Sequence, residues 1–317
     1  MMISRRCTIA TLSPIILSFT LILPMKIRAN ESGIDIGVLE ESATSNDANN
    51  ELRSGVRILF KKADLGWQVI CDSQSANSKE GCKYASAEKA TDWFVQNNGK
   101  PLATLQTQDW FDTQSASDLG LLKIANGLVP IVGEKSDAYS GWAKVPVHRP
   151  LVVSSIPLTN SSQTWQEVTT NKHSVKLVWP SFHKFISKLE ICVLGRQGKQ
   201  SKTKLRETTM KDLDIDYIWE STKKNHLIHI RIKPDIIKNC GASDTANTQL
   251  WLYQPRAGKL HKLPDLPGDV IYPVDFGDFG GDGHEAALFQ INGDGVAGYA
   301  LYFNDFKDQV RYTWNDR

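Results

Sequence analysis

Acidic residues and glycines alternate in one short segment near the C-terminus, in an order that suits a hard cation. The segment runs from Asp275 through Asp278 and Asp282-Gly283 to Glu285, and a strongly apolar stretch follows it. Calcium needs several oxygen ligands around one point, and alternate positions of a tight loop can direct side chains there. Gly283 provides the backbone freedom that the sharp turn requires. The segment therefore predicts a calcium loop that leads into a β-strand.

Residues 270–303 resemble the FG-GAP repeat, the calcium-loop repeat of integrin α chains. Its pattern is Asp-x-Asp/Asn-x-Asp-Gly, followed by an acidic residue and an apolar strand, and Asp278, Asp282 and Gly283 match it. The resemblance implies that Asp278 and Asp282 are side-chain ligands and that His284 contributes its main-chain carbonyl. FG-GAP repeats build β-propellers that act mostly in adhesion or ligand binding. The resemblance therefore implies a propeller-like fold and a binding role.

Two positions depart from the repeat and leave two interpretations open. Gly280 stands where an Asn or Asp side chain is expected, and Ala286 stands where the final acidic ligand is expected, one residue after Glu285. In the first interpretation the loop binds calcium weakly, because fewer carboxylates lower the affinity. Asp275 then compensates from the preceding turn, and the candidate ligands are Asp275, Asp278, Asp282, His284 and Glu285. In the second interpretation the loop keeps the shape of the repeat without an ion.

The N-terminal segment has the features of an export signal. Two arginines precede the apolar run Leu12–Leu23, which is too short to span a bilayer comfortably, and Ala29 offers a cleavage point. The sequence therefore predicts that residues 1–29 are removed. The mature protein is expected in the periplasm or outside the cell, without stable insertion into a membrane.

The cysteines left after that cleavage are even in number, which in an exported chain predicts two disulfides. The preferred pairing is Cys71 with Cys82 and Cys192 with Cys240, although four cysteines allow three pairings. Buried free thiols are the alternative. A zinc site is not indicated, because no C-x-x-C pair is present.

The charge of the mature chain is close to balanced. Residues 1–29 hold four basic residues and no acidic ones, so their removal lowers the formal net charge from +2 to −2. A balanced surface gives no general affinity for nucleic acid or for anionic membranes. The basic run Arg196–Lys211 contains no aromatic residue, so we interpret it as a solvated hairpin loop and expect no nucleic-acid partner.

Motifs that would identify an enzyme are missing from the sequence. It contains no serine-hydrolase elbow, zinc-protease helix, Walker loop or dinucleotide fingerprint. A non-catalytic binding protein for a protein or glycan is therefore the leading hypothesis. A secreted hydrolase acting on polysaccharide or cell-wall material is the alternative, because that chemistry needs only two facing carboxylates. The acidic residues that could supply such a pair are Glu190, Asp212, Asp214, Asp216 and Glu220.

The elements that must position these residues are predicted to be short β-strands. Most apolar stretches after Val56–Phe60 are short, rich in β-branched or aromatic residues, and closed by Gly, Pro, Asn or Asp. The fold class is therefore all-β and mainly antiparallel, β-propeller-like, with a β-sandwich or barrel as the alternative. The best helix candidate is Ala85–Gln96. The clearest predicted strands include Val175–Trp179, Ala286–Ile291, Tyr299–Phe303 and Gln309–Trp314.

Residues 30–54 are predicted to be a flexible leader. Residues 40–51 contain almost nothing that could be buried, so they cannot offset the entropy lost on ordering. The folded β-rich domain is expected to occupy residues 55–317, with the FG-GAP-like loop near 270–303.

Overall fold

The regular secondary structure of the described residues is almost entirely antiparallel β-strand. The computed structural model describes residues 33–43, 52–64, 66–70, 92–110, 121–136, 139, 146–158, 164–169, 176, 179–180, 183, 188–193, 202–207, 209–232, 248–266, 270–293 and 296–315. All of these residues belong to one compact unit that begins at Gly33. Within the described residues, no helix has the length and apolar character needed to cross a bilayer.

Six strands from the N-terminal half close into a barrel. They are β1 (Asp35–Ala43), β2 (Leu52–Ala63), β4 (Asp92–Asn97), β5 (Lys100–Trp110), β6 (Leu121–Asn126) and β7 (Leu151–Ser154). They pair in the order β1-β7-β4-β5-β6-β2, and the pairing of β1 with β2 closes the ring. The short strand β3 (Gly66–Val69) pairs with β2 outside the ring. Closure gives each of the six barrel strands a partner on both sides over part of its length.

The last four strands form a sheet that is covered on both faces. They are β15 (Val270–Gly277), β16 (Ala286–Gly293), β17 (Val296–Phe303) and β18 (Asp308–Asn315), paired in chain order. Leu288 and Tyr299 pack with the barrel core, whereas Phe289 and Tyr302 belong to a second core on the opposite face. This double burial explains why the runs that form β16 and β17 are almost continuously apolar rather than alternating.

A five-stranded sheet covers the second face of β15–β18. It consists of β8 (Trp165–Val168), β11 (Leu213–Ser221), β12 (His226–Ile232), β13 (Thr248–Gln254) and β14 (Lys259–Lys262), in the order β14-β13-β12-β11-β8. Trp219 and Leu250 face the C-terminal sheet, and Ile228 and Trp251 lie in a third core on the other side. A separate hairpin joins β9 (Lys188–Val193) to β10 (Lys202–Glu207). The described strands thus form a barrel, a central sheet, an outer sheet and this two-stranded hairpin.

The all-β, mainly antiparallel prediction is confirmed, in the form of its barrel alternative. The propeller-like arrangement that the FG-GAP resemblance implied is not what these strands form, because β1 pairs with β2 to close a barrel and the C-terminal sheet stacks between two layers. The sequence predicts single strands correctly both where apolar residues are mostly consecutive, as in Ala286–Ile291, and where they alternate with polar ones, as in Gln309–Trp314. The predicted strands Ala286–Ile291 and Gln309–Trp314 fall within β16 and β18.

Three local expectations are corrected. Asp35–Ala43, within the expected leader 30–54, forms β1, because Ile36, Val38 and Leu39 are buried in the barrel core. The described part of the helix candidate Ala85–Gln96 lies in β4, where Trp93 and Val95 are buried at a period of two. In the predicted strand Val175–Trp179, the two described residues have helical backbone. The predicted signal segment, 1–29, lies outside the described residues.

Candidate functional site

The loop between β15 and β16 is organised around the carboxylate of Asp278. One oxygen of Asp278 accepts a hydrogen bond from the backbone N–H of Asp282 at 3.1 Å, and the other accepts one from Gly283 at 2.8 Å. Gly281 and Gly283 have positive φ angles of 64° and 85°, which glycine adopts without steric cost. Backbone hydrogen bonds therefore close the loop, and each oxygen of Asp278 accepts one of them.

A lysine from the barrel reaches into this loop. The ammonium of Lys62, on β2, donates to the main-chain oxygen of Gly280 and to Oδ2 of Asp282, both at 2.8 Å. Burial opposes ionisation of Asp282, but the hydrogen bonds from Lys62 and from the His284 backbone outweigh it and lower the pKa of that carboxyl. Asp282 is thus an ionised partner of a fixed positive charge.

Gly280 lies directly against that ammonium. A Cβ atom added at Gly280 would stand 2.6 Å from Lys62 Nζ and 2.9 Å from Asp282 Oδ2. An ordinary contact between such atoms exceeds 3 Å, so any side chain at this position would displace the ammonium. The glycine that departs from the repeat pattern is the residue that leaves room for Lys62.

His284 and Glu285 turn toward a second acidic residue, Asp305, in the turn between β17 and β18. His284 Nδ1 lies 3.1 Å from one Asp305 oxygen, and the Glu285 N–H donates to the other at 3.1 Å. The Asp305 N–H donates in turn to the Glu285 carbonyl at 3.0 Å. Sequence reasoning missed Asp305; the signal that could have found it is the polar Asn304-Asp305 turn between two predicted strands.

Asp275 does not join the loop, although it was predicted to compensate there. It is buried in β15, where its carboxylate accepts from the Phe276 N–H at 2.7 Å. Burial raises the pKa of Asp275 to about 6, and the backbone N–H groups of Asn98 and Gly99 and the charge of Arg149 oppose that rise. These neighbours belong to the barrel, so Asp275 serves the contact between barrel and central sheet.

The predicted ligand set is therefore divided among three environments. Asp278 and Asp282 lie in the loop, His284 and Glu285 contact Asp305, and Asp275 faces the barrel. Within the described part of the chain, no group of three or more His, Cys, Asp or Glu side chains is arranged to hold a metal ion. Calcium binding by the loop and its metal-free interpretation both stay predictions.

A cleft of about 770 Å³ opens beside Glu285, between the outer sheet and the turn at Asp305–Lys307. Burial raises the pKa of Glu285 to about 7, a rise that the charge of Lys223 and a hydrogen bond from Trp165 oppose. Oε1 of Glu285 is buried without a hydrogen-bond partner among the described residues. Apolar and polar side chains line the rest of the cleft, including Leu252, Gln254, His261, Leu263 and Phe306.

Three of the acidic residues that could supply a hydrolase pair, Asp212, Asp216 and Glu220, have structural partners. Asp212 accepts from Thr209 at 2.7 Å and closes a one-turn 3-10 helix. Asp216 lies 3.3 Å from His229 and 3.2 Å from Arg231, and Glu220 binds Lys224 at 2.6 Å. None of these groups lines the cleft. Asp214 lies on β11 opposite Arg231 of β12, and the side chain of Glu190 lies outside the described residues.

The disulfide prediction falls mostly outside the described residues. Cys71, Cys82 and Cys240 are not among the described residues, and only the backbone of Cys192, in β9, is described. The pairing therefore stays a prediction.

Comparison with known proteins adds no family: no protein-family model, curated protein or solved structure matches this chain.

Proposed function

We propose that this chain is an exported, non-catalytic binding protein whose ligand site is the cleft between the outer sheet and the Asp305–Lys307 turn. The observation that carries the proposal is the cleft itself, at about 770 Å³. Pockets that hold small ligands span a few hundred to about a thousand Å³ and combine an apolar lining with a few placed polar groups. If the predicted export signal acts, this cleft would meet extracellular or cell-envelope material.

The lining suits a short stretch of glycan or peptide. Leu252 and Leu263 offer apolar contact, and Gln254 and His261 offer hydrogen-bonding groups beside them. Charges of both signs line the cleft, among them those of Lys223 and Glu285. A segment with alternating apolar and polar faces matches this lining better than a purely hydrophobic ligand does.

The test is a binding screen on the purified protein against immobilised glycans and a peptide library. Any hit should be lost in Gln254→Trp, which fills the cleft. It should persist in Lys100→Trp, which places the same bulk on an exposed position of the barrel strand β5. Equal loss in both variants, or a hit indifferent to Gln254→Trp, would rule out the cleft as the binding site.

A secreted polysaccharide hydrolase is the second candidate, and one pair of residues favours it. Glu285 and Asp305 line the same cleft, and their pKa values are moved in opposite directions. Two acids with separated pKa values are what glycoside hydrolysis uses as acid and base. The exposed tryptophans that would stack on sugar rings are missing among the described residues, where every tryptophan is buried or half-buried.

Release of reducing ends from cell-wall polysaccharide would distinguish this candidate from simple binding. If the pair is catalytic, release should be abolished by Glu285→Gln, whereas Glu220→Gln should leave it unchanged, because Glu220 lies outside the cleft. Binding of a polysaccharide without release of new reducing ends would favour the non-catalytic proposal.

A further inference from the structure

We propose that the ammonium group of Lys62 is the resident cation of the β15–β16 loop, so that a divalent ion binds there only after this ammonium has been removed. The inference concerns the loop and does not depend on the proposed function of the cleft. It rests on the contacts that Lys62 makes, on the space at Gly280, and on the way in which the loop is anchored.

The ammonium has the partners that a hard cation would choose. Lys62 Nζ is held at 2.8 Å by one main-chain carbonyl, that of Gly280, and at 2.8 Å by one carboxylate oxygen, that of Asp282. Carbonyl and carboxylate oxygens are also the ligands that calcium takes in proteins. A divalent ion near the same oxygens would meet a fixed positive charge at hydrogen-bond distance, and like charges repel strongly at that separation.

The ammonium occupies the space at Gly280 in which a calcium loop would carry another oxygen ligand. A calcium loop of the resembled pattern carries an Asn or Asp side chain at this position, but a Cβ here would lie 2.6 Å from Lys62 Nζ. A side chain that carries the extra oxygen ligand would therefore move the ammonium from its present position. Because Gly280 has no side chain, the loop lacks one oxygen ligand of the repeat and has room for the ammonium of Lys62.

The ammonium also fixes the loop to a different layer of the fold. Lys62 belongs to β2 of the barrel, 220 residues before Asp282 in the chain. Phe279, in the same loop, is buried in the core that the barrel shares with the central sheet. A free ion would shape the loop alone, whereas the lysine shapes it and ties it to the barrel in a single contact.

The experiment measures calcium binding and melting temperature in the purified protein and in three variants. Lys62→Gln removes the charge but keeps a hydrogen-bond donor. Lys62→Gln with Gly280→Asp also restores the missing oxygen ligand. Lys61→Gln is the matched control, because Lys61 is the adjacent lysine and pairs with Asp35 instead, at 4.0 Å. Each protein is titrated with calcium chloride by calorimetry and melted in millimolar calcium and in chelator.

The unmodified protein and Lys61→Gln should melt at the same temperature in calcium and in chelator. The double variant should bind calcium and gain several degrees in calcium, because a ligand that binds only the folded state stabilises it. Calcium binding by the unmodified protein at the same affinity as the double variant would overturn the proposal. A folded double variant without a calorimetric calcium signal would overturn it as well. If the double variant does not fold, Lys62→Gln is the test. A melting temperature that rises with calcium in this variant supports the proposal, and one that does not change overturns it.

Discussion

Glu40 and Arg57 form a fully buried ion pair in the wall of the barrel, with Glu40 Oε1 accepting from Arg57 Nε at 2.8 Å and from Nη2 at 2.6 Å. The hydroxyl of Tyr299 donates to the other Glu40 oxygen at 2.5 Å, and the guanidinium lies 4.8 Å from the centre of the Trp314 ring. Burial alone would lower the pKa of Arg57, but the charge of Glu40 outweighs it and raises that pKa. The pair therefore joins β1 and β2 to the C-terminal sheet.

Glu40→Gln should destabilise the protein strongly, because it leaves the Arg57 charge buried without its counter-charge. Breaking one partner of a buried pair typically costs about 3–5 kcal/mol of unfolding free energy. Arg57→Met should cost a similar amount, and the double variant should cost clearly less than the two single changes added together. Urea denaturation of the four proteins measures this coupling.

An exposed pair provides the control for that cycle. Glu220 and Lys224 are 2.6 Å apart, and the lysine side chain is 63% exposed, so Glu220→Gln should cost at most about 1 kcal/mol. Strictly additive losses at Glu40 and Arg57 would show that the two residues contribute independently, contrary to the contact described above.

Gly37→Ala should destabilise the barrel at the point where β1 changes register against β2. A Cβ at Gly37 would lie 2.2 Å from the carbonyl oxygen of Arg57, a backbone atom that cannot move without breaking the pairing. We expect a loss of about 3 kcal/mol or more, measured as a lower urea midpoint. Gly133→Ala is the control, since its Cβ would meet no atom within 4 Å and only the backbone strain of a positive φ, about 1 kcal/mol, is expected. Equal losses in the two variants would contradict the steric argument.

The positions just described also mark the limit of what the sequence predicts. Runs such as Ala286–Ile291 identify their strands because a short, almost continuous apolar stretch is stable only where it is buried. Glu40 is different, because it stands in a polar stretch and its burial depends on Tyr299, 259 residues later. Closure of the barrel and the reach of Lys62 into a distant loop likewise depend on pairings between remote segments, which leave no local pattern in either segment.

Glu285 should make the protein less stable as the pH rises. Burial raises its pKa from 4.5 to about 7 in the folded protein, so between these two pH values the folded state holds more of the proton than the unfolded chain does. The free energy of unfolding then falls as the pH rises through this range, by roughly 1–3 kcal/mol. Denaturation midpoints at acidic and mildly alkaline pH measure the effect.

Glu285→Gln should flatten that pH dependence, since it keeps the shape of the side chain and cannot ionise. Asp275→Asn is a useful comparison, because burial also raises the pKa of Asp275, to about 6, and its contribution has the same sign. Each variant should therefore remove part of the slope. If the unfolding free energy of Glu285→Gln depends on pH as that of the unmodified protein does, the Glu285 carboxyl is solvated and its pKa is not raised.

The two predicted disulfides should be visible in the mass of the exported protein. Each bridge removes two hydrogens, so the intact mass should lie about four mass units below the reduced mass. Peptide mapping without reduction should show Cys71 joined to Cys82 and Cys192 joined to Cys240. In the chain-entropy description a bridge stabilises more when it closes a longer loop, about 3 kcal/mol for the first pair and about 4 kcal/mol for the second. Cys192→Ser should therefore lower the urea midpoint more than Cys71→Ser does, and labelling of all four thiols in the native protein would contradict both bridges.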